Sequence, residues 1–109
     1  MMLGLNKPTP EEATRTLGDV APEKCFWVNN GSVLHNLYDL LNALKGMDAA
    51  KFTHHASKEK NDFANWAADV LHDAELARRI MQAKSQKQTL NVIAKRISTL
   101  EKIAYGEKK

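Results

Sequence analysis

Residues 58–73 read KEKNDFANWAADVLHD: a polar loop, a helix cap and an amphipathic helix in one run. Asn61 or Asp62 can accept the first free N–H groups of a helix. Phe63, Trp66, Ala67, Val70 and Leu71 then fall inward at helical spacing. Asp73 suits the cap of a further helix from Ala74 that turns Leu76, Ala77, Ile80 and Met81 inward. Almost no loop separates the two, which gives residues 62–81 helix–turn–helix character.

The helical signals continue in both directions. Downstream, Ser85 with Gln88 three residues later makes a capping box, and Leu90, Ile93, Ala94, Ile97 and Leu100 form the apolar stripe of a last helix. Upstream, Asp48 can cap a short helix running to about Ala56, with Phe52 and His55 on one side. Leu37, Leu40, Leu41 and Leu44 fall at i, i+3, i+4 and i+7, and Gly46 ends that helix. Near the N-terminus Thr9 can cap, Pro10 suits the first helical position, and Glu12 completes a capping box. Gly18 stops this helix, and Pro22 marks a second break.

One segment breaks the helical period. Phe26-Trp27-Val28-Asn29-Asn30-Gly31-Ser32-Val33-Leu34 holds Asn30-Gly31 between apolar residues, which predicts a two-residue hairpin loop. That loop opposes Val28 to Val33, Trp27 to Leu34 and Phe26 to His35. Phe26, Val28 and Val33 then share one face, and Trp27 and Leu34 share the other. Both faces are apolar. One covers the core, and the second is left for the N-terminal arm or for something outside the chain.

The expected fold is mainly α, a compact bundle of about five helices with one N-terminal β-hairpin. Residues 1–22 read as an arm with a short helix, 23–105 as a single globular helical domain and 106–109 as a basic tail. The composition, 43% apolar and 27% charged, is that of a soluble globular protein. No window approaches the roughly eighteen apolar residues of a membrane span. The first fifteen residues lack the basic and apolar regions of a secretory signal. The single Cys25 excludes an internal disulfide and fits a reducing cytoplasm.

The run FWVNNGSVLHNLYDLLNAL, then Phe52 with His55, then Asn61-Asp62-Phe63 with Trp66, resembles a small uncharacterised domain family of archaea and little-studied bacterial lineages. The resemblance covers roughly residues 25–100 and implies a common fold. It carries over no catalytic residue. His54 and the N-terminal arm depart from the family pattern.

Reactive constellations are thin. Adjacent helical residues point about 100° apart, so His54 and His55 cannot share one metal as an i, i+4 pair does. His55 is expected to pack beside Phe52 and to bond a backbone group or a cap such as Asp62, with His54 exposed. Cys25, His35 and Asp39 can be drawn as nucleophile, base and orienter, but Cys25 is flanked by apolar residues with no oxyanion hole in view. Asp62, Asp69 and Asp73 read as caps and a solvated face. The glycines are scattered, with no phosphate loop among them. No metal, cofactor or catalytic residue is therefore expected.

Charge is unevenly placed. Residues 1–73 carry seven Lys/Arg against ten Asp/Glu, giving −3, whereas residues 74–109 carry nine against three, giving +6. Two binding readings follow. The leading one is a non-enzymatic interaction module docking on a protein partner or a second copy through an apolar hairpin face of Trp27, Leu34 and Cys25. The alternative is an accessory DNA- or structured-RNA-binding protein using Arg78, Arg79, Lys84, Lys87, Lys95 and Lys102.

Overall fold

A computed structural model describes residues 7–29 and 31–106. The expectations for the first residues of the arm, for Asn30 and for residues 107–109 of the tail lie outside the described residues. The chain is mainly helical, with one two-stranded antiparallel hairpin among the described residues. The elements run α1 (Pro10–Leu17), a 3-10 turn (Pro22–Lys24), β1 (Phe26–Trp27), β2 (Val33–Leu34), α2 (Leu37–Gly46), α3 (Ala49–His55), α4 (Asp62–Asp69), α5 (Ala74–Gln82) and α6 (Gln86–Tyr105).

Each α-helix starts where a polar side chain takes up an orphan N–H group. Thr9 and Glu12 form the reciprocal box of α1, at 2.9 and 3.1 Å. Asn36, Asp48, Asn61, Asp73 and Ser85 cap the other five in turn. Gln88 accepts from the Lys84 N–H at 2.7 Å rather than closing a box with Ser85. At the far end of α2, Gln86 donates its amide to the carbonyls of Leu44 and Met47, at 2.9 and 2.7 Å, satisfying acceptors the helix leaves open.

α6 is the axis of the bundle, with α1, α2 and α5 packed on it and α4 packed on α5. Its buried stripe of Ile93, Ile97 and Leu100 meets Leu37, Leu40 and Leu44 of α2 and Leu76 and Ile80 of α5 in one core. α1 is not part of a separate arm over residues 1–22: it buries Ala13, Thr16 and Leu17 and packs on α6 within the bundle. Met81 was expected inward and is instead exposed, because α5 turns Leu76, Ala77 and Ile80 to the core and Met81 lies beyond that arc. Tyr38 of α2 donates to Glu101 of α6 at 2.6 Å; burial and this bond to a carboxylate push the phenol up to about 12.

The hairpin register differs from the expected one by a single residue. Phe26 pairs with Leu34, and Trp27 with Val33. A slip of one residue turns the whole second strand over. Phe26 and Leu34 therefore share the core face, while Trp27 and Val33 share the outer one. The loop is longer than two residues: the Val28 N–H donates to Ser32 O at 3.0 Å and the Gly31 N–H to Val28 O at 2.9 Å. A β-carbon on Gly31 would stand 3.3 Å from a Val28 methyl, so the turn packs closely there.

Candidate functional site

The hairpin is held from below by aromatic packing. Phe26 stacks on Phe63 of α4 at 5.2 Å and meets the edge of Trp66 at 5.8 Å. Trp66 is buried and donates its indole N–H to Lys24 O at 2.8 Å. Against the same cluster lies His55, only 5% exposed, with its ring 5.1 Å from Phe26 and 5.5 Å from Phe63. Phe52 stacks on Phe63 instead, at 5.7 Å.

His55 joins three parts of the chain. Its Nε2 lies 3.0 Å from the Asn29 backbone N, and its Nδ1 lies 3.0 Å from Asp62 Oδ2. The backbone N–H can only donate, so Nε2 is the acceptor and Nδ1 carries the proton that goes to Asp62. A side chain from α3 thus pins the hairpin loop and the first turn of α4 together. Burial pushes the Asp62 carboxyl up, but hydrogen bonds from His55 and Lys60, with the Lys60 charge, outweigh it and leave its pKa below the ordinary carboxylate value. His54 is exposed, as its neighbour's inward turn requires.

The expected docking residues separate. Trp27 stands 69% exposed, while Leu34 is 3% exposed beneath the sheet. Cys25 is also buried, its thiol directed at Ala21 O at 3.8 Å. Leu34 and Cys25 therefore cannot share a docking face with Trp27; the one-residue slip puts the half-buried Val33 there instead. His35 and Asp39 do come together, at 3.3 Å, but among the described residues the Cys25 thiol makes no hydrogen bond to His35. Among the same residues no group of three or more His, Cys, Asp or Glu side chains converges to hold a metal.

The basic residues are presented to solvent. Arg78, Arg79, Lys84, Lys87, Lys95 and Lys102 are all exposed. Glu75 accepts from Arg79 at 2.6 Å and from Arg78 at 2.8 Å, and these contacts hold its carboxyl below the ordinary range. A groove between α5 and α6 collects Arg79, Lys95 and Arg96. Sequence reading missed Arg96, which enters the groove while its guanidinium is held by Asp73 through two bonds of 2.9 Å. No signal of spacing could have paired residues 73 and 96. A second, larger cleft of about 1260 Å³ lies beside α1, with Asp73 and Arg96 in its wall and charges of both signs around it.

No helix among the described residues is long and apolar enough to cross a membrane. No family model, curated protein or solved structure matches this chain.

Proposed function

We propose that the protein is a non-enzymatic interaction module that docks on a protein partner or a second copy, with Trp27 as its anchor. The observation that carries this reading is the exposure of Trp27 on a hairpin whose opposite face is fixed in the core. Strand pairing, the Phe26 stack and the His55 bond hold the strand still, so the indole is displayed on a rigid support. A rigid, exposed tryptophan loses little entropy on binding and offers a large apolar area, which is why tryptophan is enriched among residues that dominate interfaces. Leu34 and Cys25 are buried, and Val33 stands beside Trp27 on the outer face in their place. The lone thiol Cys25 fits a reducing cytoplasm, where we place the protein.

The test is site-specific photo-crosslinking in native cells, with a photoreactive phenylalanine analogue at position 27 and, as a control, at exposed Thr53. A discrete adduct from position 27, absent from position 53 and suppressed by excess unlabelled wild-type protein but not by excess Trp27→Ala, is expected. Equal labelling from both positions would remove the hairpin from consideration.

A further inference from the structure

The groove between α5 and α6 has a lining of one sign. Arg79 reaches it from α5, and Lys95 and Arg96 from α6. Its other polar side chains are neutral donors such as Gln82, Gln88, Asn91 and Thr99, and among the described residues no carboxylate lines it. Its volume is about 770 Å³. These are the residue types that contact phosphates in nucleic-acid complexes, where Arg and Lys work with amide and hydroxyl donors.

Both arginines are oriented in advance. Arg79 uses Nε on Glu75, and Arg96 uses Nε and Nη2 on Asp73. A guanidinium carries five N–H donors, so exposed Arg79 keeps others for a further acceptor, while Arg96, largely buried on Asp73, contributes mainly its charge to the wall. Lys95 makes no ion pair among the described residues, and neither do Lys87 and Lys102. Lys87, Asn91 and Lys95 recur every fourth residue of α6, and Lys102 follows two turns on, beyond the groove and in the wall of the cleft beside α1. At 1.5 Å per residue, Lys87 to Lys102 spans about 22 Å. A duplex rises about 3.4 Å along its axis per base pair, so this line matches the length of about six base-pair steps. Among the described residues no aromatic side chain lines the groove, and unpaired strands are held mainly by stacking on aromatic rings.

We propose that this groove binds double-helical nucleic acid through its phosphate backbone, without base readout, with Lys95 at the centre and Lys87 and Lys102 extending the contact along α6. None of these residues belongs to the hairpin, so the site stands apart from the Trp27 surface. The acid-rich remainder of the chain, at −3 over residues 1–73, limits binding to this one face.

The test is fluorescence anisotropy of the full chain with a short labelled DNA duplex, an RNA duplex of the same sequence, and each single strand, over a range of salt. Binding to either duplex, with a log–log salt slope of about −4, is expected for four to five neutralised phosphates. Lys87→Gln and Lys95→Gln should each flatten that slope by about 1. Lys87→Glu combined with Lys95→Glu should weaken binding about tenfold or more at low salt. Lys58→Glu, one charge reversal in the exposed loop before α4, should leave affinity within about twofold. All these side chains are exposed, so the variants should fold, to be checked by matching circular dichroism and Tm. Absence of duplex binding at low salt, tighter binding of single strands, or an equal loss in Lys58→Glu would each overturn the proposal.

Discussion

His72 takes φ +57°, in the left-handed region, within the turn that carries α4 into α5. The reversal lets the Asp73 N–H return to Ala67 O at 2.9 Å and sets Asp73 at the start of α5. A residue with a β-carbon costs about 1–2 kcal/mol in this conformation, and glycine does not. Glycine's greater freedom when unfolded takes back part of the gain. His72→Gly should therefore stabilise the fold by about 0.5–1 kcal/mol in urea denaturation. His72→Ala keeps the strain, so a gain as large from alanine would refute the backbone explanation. Asp62 gives a second prediction at the same scale. Its folded pKa is depressed, so its contribution is present above the unfolded value near 4 and is lost as pH falls through the folded one. The urea midpoint should drop from about pH 4 downward. Asp62→Asn, which cannot titrate, should flatten that drop; an unchanged profile would place the acid sensitivity elsewhere.

Between elements, the decisive contacts are those that local sequence rules do not contain. Five of the six helix starts among the described residues were legible from their caps, because caps act within three residues of the positions they satisfy; α2, capped by Asn36, was legible only from its apolar spacing. The hairpin was legible as a hairpin but not in register. Phe26, Trp27 and Val28 face Val33 and Leu34, so both faces are apolar and alternation cannot choose between them. The choice falls to a three-residue loop whose Asn29 N–H is claimed by His55, 26 residues away. The same distance effect hides the tie between α5 and α6. Asp73 caps α5 at Leu76 N, 3.0 Å away, and holds Arg96 of α6 with both oxygens. Asp73 is 6% exposed, so its removal deletes a cap and leaves a largely buried guanidinium without its partner. Asp73→Ala should cost about 3–5 kcal/mol. Arg96→Met strands the buried Asp73 carboxylate in turn, and although Asp73 keeps its bond from the Leu76 N–H it should cost a similar amount. Asp73→Asn combined with Arg96→Met removes both charges and keeps a capping side chain, and should cost clearly less than either single variant. An equal or larger loss in the double variant, measured by urea denaturation, would show that the ion pair itself, not a stranded charge, sets the energy.

At the scale of the whole molecule, the helical class was legible from the inward residues alone, since Leu37, Leu40, Leu44, Ile93, Ile97 and Leu100 all reach the core as their spacing implies. What periodicity cannot convey is which apolar residues are surplus to that core. The chain has two tryptophans, and they part company: Trp66 is 6% exposed with its N–H satisfied, and Trp27 stands in solvent. A domain of this length is stable by about 5–15 kcal/mol, so one large core deletion consumes a good fraction of the total. Trp66→Ala should cost about 3–5 kcal/mol and loosen the Phe26 stack above it. Trp66→Phe keeps most of the volume but loses the bond to Lys24 O, and should cost less. Trp27→Ala, by contrast, should change stability by no more than about 0.5 kcal/mol, as expected for a side chain with few neighbours. Urea denaturation with an unchanged m-value is the measurement. A loss above about 1 kcal/mol in Trp27→Ala would mean that the indole is already engaged in holding the hairpin, and a tryptophan engaged there is not free to anchor a partner.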